Sequence, residues 1–307
     1  MFEAQVIAAH GRHLTVRDAQ GRRHEARPFG RRLVAVCGDH VRCEEDRAHD
    51  EIHVLEVLPR RSLLTRSNLR GMAEPVVANT TLLVTVLAPR PAPDPFIIDR
   101  YLCAASSAAM AAIVLINKAD LTTTECSEQE RIHLDSLRSE YERAGYPTMV
   151  CSARDPAGLM SLRDALRDQT SVFVGQSGVG KSSLIEALVP EVALVTGELD
   201  REQEGRHTTT AARLYELPGG GALIDSPGVR DFAPAIDALE PRSLGFPEVD
   251  QLAPSCRFLD CQHLREPHCA VRSASEDGRL SPRRYESYRR LRRLYEELST
   301  ARGPARR

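Results

Sequence analysis

The chain has 307 residues, 42% of them hydrophobic and 27% charged, with a formal net charge of −2. That length accommodates two or three domains, the composition is ordinary for a soluble globular protein, and the near-neutral charge gives no sign by itself of a nucleic-acid partner. No run of about 18 apolar residues is present and Met1-Phe2-Glu3-Ala4-Gln5 is no signal peptide, so the sequence reads as a cytoplasmic protein without a membrane segment.

Residues 1–66 read as short strands: Gln5–Ala8, Leu14–Asp18, Arg22–Ala26, Leu33–Val36 with Asp39–Cys43, and Ile52–Leu58. Turn signals at Asp18–Gly21 and Cys37–Asp39 punctuate them. Five strands in so short a span suggest an OB-fold barrel, with an SH3-like β-domain as the alternative.

Residues 67–233 alternate apolar strands with helical patterns, the signature of an α/β domain with a parallel sheet. The expected strands are Thr81–Leu87, Ala112–Ile116, Thr148–Cys151, Val172–Val174, Arg213–Leu217 and Ala222–Ile224. Helices are expected over Pro95–Ala109, Ser127–Ala144, Gly158–Arg167 and Lys181–Leu188. From 234 to 307 strand patterns stop. A Cys/His cluster is followed by a Tyr- and Arg-rich helix across Pro282–Leu298, as in a small helical domain held by metal.

The motifs follow an unusual order. Asn117-Lys118-Ala119-Asp120, after an apolar strand, fits N-K-x-D, in which the Asp120 carboxylate accepts from both the ring N–H and the amino group of guanine. Adenine cannot offer that pair, and the wrong base leaves a buried carboxylate unpaired. Cys151-Ser152-Ala153 closes a later strand, with the Ser152 and Ala153 backbone placed to meet guanine O6. Next comes Gly175-Gln176-Ser177-Gly178-Val179-Gly180-Lys181-Ser182-Ser183, a phosphate loop between strand and helix. Its N–H groups and helix N-terminus favour phosphate, Lys181 should reach the β- and γ-phosphates, and the Ser182 hydroxyl suits Mg²⁺. In His207-Thr208-Thr209, either Thr208 or Thr209 is expected to complete the Mg²⁺ shell. Asp225-Ser226-Pro227-Gly228 fits D-x-x-G, with Asp225 supporting Mg²⁺ and the Gly228 N–H meeting the γ-phosphate.

Only two lysines occur, Lys118 and Lys181, against 39 arginines, and both fall inside these motifs. A compact ammonium fits beside a base or between phosphates where a planar guanidinium does not. The order base, base, phosphate, switch, switch is that of a circularly permuted GTPase domain, since a sheet is indifferent to chain order when the same strands lie side by side. The residue after D-x-x-G is Val229, which cannot orient water as Gln does in common GTPases. His207 is the nearest group able to do so, although packing in a loop is an equal reading. The chain leaves the nucleotide core after Gly228, so Val229–Pro241 is expected to carry its state toward the C-terminal domain.

Cys256, Cys261, His263 and Cys269 offer a Cys₃His set suited to structural zinc, with His268 as a substitute for His263. The other cysteines, Cys37, Cys43, Cys103, Cys126 and Cys151, are scattered and read as core or surface residues. In the last helix Tyr285, Tyr288, Leu291 and Tyr295 form a packing stripe. Arg284, Arg289, Arg292 and Arg293 are assigned to other faces, for RNA phosphates or solvent.

Barrel, permuted GTPase and Cys/His tail together resemble the bacterial small-ribosomal-subunit biogenesis GTPase A family over essentially the whole chain. The resemblance rests on Gly38-Asp39-His40-Val41, Asp99-Arg100-Tyr101-Leu102, the nucleotide motifs and the Cys/His cluster. It implies GTP hydrolysis stimulated by the 30S subunit, late 30S maturation with release of another assembly factor, and contacts to 16S rRNA. It also implies the same four zinc ligands. A monomer and no membrane partner are expected. The competing readings are a small-molecule kinase, which has no use for N-K-x-D, and an RNA chaperone with a structural nucleotide site.

Overall fold

The computed structural model describes residues 1–46, 49, 51–67, 72–189, 212–226 and 234–301. The first five strands are β1 (Phe2–His10), β2 (His13–Asp18), β3 (Arg23–Pro28), β4 (His40–Asp46) and β5 (Glu51–Val57). They close a barrel in the order β1-β2-β3-β5-β4 and back to β1, with β3 and β5 parallel and the other pairs antiparallel. Alternation in β2 turns Leu14 and Val16 inward, where they meet Val6, Ala26, Val41, Cys43 and Val54. The OB-like barrel expected from the sequence is thus present, but Leu33–Val36 is not a strand. Ala35 and Val36 are buried without a strand while Val34 is exposed, and the Asp39 carboxylate fixes the segment by accepting from the Val36 N–H at 2.8 Å. Arg60 clamps the same carboxylate at 2.7 and 2.8 Å. Beside it, Gly38 (φ +92°) lies so close to the next element that a Cβ would sit 2.0 Å from the Ala78 carbonyl oxygen.

That element is a hairpin the sequence reading missed, β6 (Leu63–Ser67) and β7 (Ala73–Ala78). It is followed by β8 (Leu82–Leu87), α1 (Pro95–Ser107), β9 (Ala111–Ile116), α2 (Ala119–Thr124), α3 (Glu128–Arg143) and β10 (Thr148–Val150). The α/β unit continues with α4 (Gly158–Leu166), β11 (Thr170–Val174), α5 (Lys181–Leu188), β12 (Ala212–Glu216) and β13 (Ala222–Asp225). The sheet order is β10-β9-β8-β11-β13-β12, parallel except for β12. Every residue of the central strand β8 is buried, as a two-faced parallel strand requires. Helices α4 and α5 cover one face through Leu159, Leu162, Leu166, Leu184 and Leu188, and α1 and α3 cover the other through Ile98, Leu102, Leu134, Leu137 and Tyr141. The barrel continues this sheet, because β1 pairs antiparallel with β12.

The C-terminal part holds α6 (Pro247–Leu252), α7 (Ala270–Glu276) and α8 (Pro282–Ala301). Tyr285, Tyr288 and Leu291 are buried along α8 with Tyr295 beside them, against Phe246, Val271, Tyr101 and Ala105. The arginine assignment needs correction at two positions. Arg284 is 1% exposed and Arg292 is 5% exposed, so neither is a solvent or RNA contact. Arg284 pairs with Asp99 of α1 at 2.7 Å and forks onto Glu248 of α6 at 2.8 and 2.7 Å. Arg292 donates to the carbonyls of Pro241 and Arg242.

Candidate nucleotide and metal sites

The nucleotide motifs meet at the carboxyl ends of β9, β11 and β13, where ligands of open α/β sheets bind. Asn117 directly follows β9; it is buried, and its backbone N–H donates to the Leu87 carbonyl at 2.8 Å. Its side chain spans two loops. The Nδ2 donates to the Val179 carbonyl of the glycine-rich loop at 3.0 Å, and the Oδ1 accepts from the Ala153 N–H at 3.2 Å. Gly180 has to be glycine here, because its φ is +92° and a Cβ would lie 2.4 Å from Asn117 Nδ2.

Lys118 adopts a left-handed backbone (φ +59°), which turns the chain into α2 and leaves Asp120 in its first turn. The Ser152 hydroxyl donates to Asp120 Oδ1 at 2.7 Å and itself accepts from the Arg154 N–H at 3.2 Å. The Ala119 N–H bonds the Cys151 carbonyl at 3.0 Å, so the two base loops are stitched through backbone and side chain alike. Burial pushes the Cys151 thiol up to about 11, which keeps it neutral beside Asn117.

Both lysine ammonium groups bracket the glycine-rich loop. Lys118 Nζ donates to the Gly178 carbonyl at 2.6 Å and the Arg90 carbonyl at 3.0 Å. Lys181 Nζ, buried, donates to the carbonyls of Gly175 and Gln176 at 2.6 and 2.7 Å. Gln176 reaches outward instead, accepting the Asp94 N–H at the start of α1 at 3.0 Å. Ser177, Gly178, Ser182 and Ser183 are exposed at the loop and the first turn of α5. Asp225 ends β13 one rung beyond the Val172–Ile224 pair and is buried together with Ser226. His207, Thr208, Thr209 and Gly228 lie outside the described residues.

The second site is built from the turn before α7. Sγ of Cys256, Cys261 and Cys269 and a ring nitrogen of His263 all lie within 4.8 Å of one another. His263 Nδ1 is 3.4 Å from both Cys256 Sγ and Cys269 Sγ. The Cys256 and Cys269 sulfurs are 4.0 Å apart, against about 3.8 Å along an edge of a tetrahedral zinc–thiolate shell. The donor set therefore fits a tetrahedral, thiophilic metal. Tyr285 and Tyr288 hold the knuckle by donating to the His263 and Gln262 carbonyls at 2.7 and 3.0 Å. The Glu266 carboxylate accepts the N–H groups of Gln262, Leu264 and Arg265, each at 2.9 Å. His268 is exposed and not in the cluster, whereas His263 is buried.

Sequence reasoning quoted Asp99 without a role. The structure buries it beneath α8, where it accepts from Arg283, Arg284 and Tyr141. Gln176–Asp94 and Glu266 were likewise unforeseen, since each joins residues that no motif relates.

The sequence model of the RsgA GTPase family matches residues 57–234. The small ribosomal subunit biogenesis GTPase RsgA of Pseudomonas aeruginosa is 43% identical over 288 residues, covering 94% of this chain and 84% of that protein. The protein of the same name from Azotobacter vinelandii is 47% identical over 239 residues, 78% of this chain and 68% of that one. Among solved structures, YjeQ from Thermotoga maritima superposes with a TM-score of 0.71 at 28% identity, covering 96% of this chain and 98% of that chain. YloQ, described as a circularly permuted GTPase, gives a TM-score of 0.71 at 27% identity, covering 99% and 96%.

Proposed function

This chain belongs to the RsgA GTPase family, and we propose that it hydrolyses GTP on the small ribosomal subunit as a late assembly factor. The observation that carries the reading is the convergence of the Asn117 amide and both lysine ammonium groups on one glycine-rich loop. A base reader and a phosphate cradle are thereby held in one rigid unit. When nucleotide enters, Lys181 exchanges its carbonyl partners for β- and γ-phosphate oxygens. Asp120, oriented by Ser152, takes the guanine edge, and Ala153 lies beside it.

Ser182, Asp225 and Thr208 or Thr209 are the residues that would hold Mg²⁺, which would supply charge neutralisation at the phosphates. His207 orients the attacking water. Cys256, Cys261, His263 and Cys269 hold one zinc ion as a structural staple, in a segment with little core of its own.

The domain reading is a barrel over residues 1–66, a permuted GTPase over 67–233 and a zinc-binding unit over 234–307. Arg27, Arg31 and Arg32, all exposed, flank exposed Phe29 in the sequence at the end of the barrel strand β3. Arginines beside an aromatic ring suit 16S rRNA, by phosphate pairing and base stacking. Among the described residues no helix is long and apolar enough to cross a membrane.

The test is GTP turnover by the full chain with and without purified 30S subunits. Strong stimulation supports the reading. Turnover that ignores the subunit across magnesium and salt conditions rejects it in favour of an RNA chaperone whose nucleotide is structural.

A further inference from the structure

Both segments that carry the switch residues rejoin the described structure on its barrel side. Thr208 and Thr209 stand just before Ala212, the first residue of β12. Ala212 is paired with Ala9 of the barrel, and Arg213 with Ala8. Arg213 is paired on its other side with Asp225. One rung therefore runs from the barrel strand, through the strand that follows the switch threonines, to the aspartate that opens D-x-x-G. At the far end of β12, Glu216 is held by Arg17 of the barrel strand β2.

The second switch ends in the same neighbourhood. After D-x-x-G the described chain resumes at Pro234, which forms a β-bridge with Arg66 of β6. The Ala235 N–H donates to the Thr65 carbonyl at 3.1 Å, and Arg100 Nη2 donates to the Pro234 carbonyl at 3.3 Å. The β6–β7 hairpin is in turn fastened to the barrel. The Ala78 N–H donates to the Cys37 carbonyl at 3.0 Å, and Asn79 Nδ2 donates to the Gly38 carbonyl at 2.9 Å.

The two fastenings differ in stiffness. Gly38 and Ala78 are in backbone contact with no room for a side chain. The β1–β12 seam consists of two residue pairs, whereas β1 is paired with β2 along most of its length. It also begins just after the bulge between Val6 and Ala8, where β1 bends. A short seam next to a bulge can open while the hairpin holds as a pivot.

We propose that γ-phosphate occupancy is transmitted to the N-terminal barrel, with the β1–β12 seam as the opening edge and the hairpin contacts at Pro234–Ala235 as the pivot. The inference rests on the GTPase reading above and extends it. The barrel, and not only the zinc-binding unit, reports the nucleotide state. The chain from Glu240 onward is fixed elsewhere, by the Ser107 hydroxyl and Arg292, so among the described residues the first backbone pairing after the second switch is the one with β6.

The experiment compares hydrogen exchange of the full chain bound to GDP and to a non-hydrolysable GTP analogue. The expected result is a change of about threefold or more in the β1 and β12 amides of the seam alongside the glycine-rich loop, with β6 amides unchanged. A response of the loop with β1 and β12 unchanged overturns the proposal alone; a loop that ignores nucleotide overturns the nucleotide reading and the proposal with it. A second measurement locks the seam with an Ala9→Cys/Ala212→Cys disulfide, mapped by mass spectrometry in zinc-loaded protein. Residues opposite each other in antiparallel strands lie within disulfide reach. The locked chain is expected to keep its basal turnover within about twofold and lose about tenfold of subunit-stimulated turnover, recovered on reduction. Full stimulation in the locked form overturns the proposal.

Discussion

Replacing Asp99 by Ala should release α8 from the GTPase unit without unfolding the barrel. Asp99 is 1% exposed and accepts from Arg284 at 2.7 Å, Arg283 at 2.7 Å and the Tyr141 hydroxyl at 3.1 Å. Removing one partner of a buried ion pair costs about 3–5 kcal/mol, because the remaining charge stays buried and uncompensated. Here the loss is tempered. Arg284 keeps its fork onto Glu248, and Arg283, whose side chain is 28% exposed, keeps Glu140. The expected cost is therefore about 3 kcal/mol, roughly a 150-fold increase in the opening equilibrium of α8. Native-state hydrogen exchange of the full chain reads this directly, since local opening shows as faster exchange of α8 amides. Asp99→Asn, which retains the shape and can still accept from Tyr141, should fall between. A change below about fivefold at α8, or an equal change in the barrel strands, would refute the assignment of Asp99 as a local latch.

Asp120→Asn should weaken GTP binding by about 2–4 kcal/mol and favour xanthine nucleotides, whose C2 carbonyl oxygen accepts from the new amide; competition binding decides, and unchanged guanine preference removes Asp120 as the base reader. Cys261→Ser and His263→Ala should each lose bound zinc while His268→Ala keeps it, as counted by plasma mass spectrometry; metal retained in His263→Ala would mean that the shell is drawn wrongly. His207→Ala should lower subunit-stimulated turnover about 100-fold with little change in GTP affinity; equal effects on both would reduce it to a packing residue. Gly38→Ala should cost about 2–4 kcal/mol in thermal denaturation, against about 1 kcal/mol for Gly21→Ala. Both have positive φ, but only the Gly38 Cβ meets a backbone atom. Similar costs would show that close approach to Ala78 is unimportant.

The α/β unit was legible because its signals are local. Burial on both faces writes β8 as an apolar run interrupted only by Thr85, and the glycine-rich loop carries its own spacing between β11 and α5. The members of the Cys₃His cluster were legible for a similar reason, since they fall within one short stretch of chain. The strand expected over Leu33–Val36 failed because an apolar run fits any buried segment; the Asp39 side chain takes the Val36 N–H that a ladder would have used. Arg284 and Arg292 were misplaced for the opposite reason. Helical spacing identifies a face but does not reveal Asp99, Glu248 or the Pro241 carbonyl, which meet that face from distant parts of the chain. The hairpin escaped because Leu63–Ser67 and Ala73–Ala78 show no clean alternation: Leu64, Val76 and Val77 are buried together with Cys37, Leu83 and Tyr101, which come from distant parts of the chain.

The permuted strand order also sets a timetable for synthesis. The barrel closes among strands that are all made early, β1 meeting β4 before the first helix exists. After the β6–β7 hairpin the next strands to emerge are β8, β9 and β10, but β8 then shows a bare flank until β11 arrives to pair with it. Such an unpaired, largely apolar strand is the segment of a nascent chain most exposed to misassociation. Nucleotide cannot shield it, because the phosphate cradle is made together with β11 and α5, and Asp225 later still. The seam between Ala8 and Arg213 closes only after roughly two hundred further residues, a long-range contact of the slow kind. The newborn protein must therefore complete its barrel and half of its sheet before GTP can contribute to its stability.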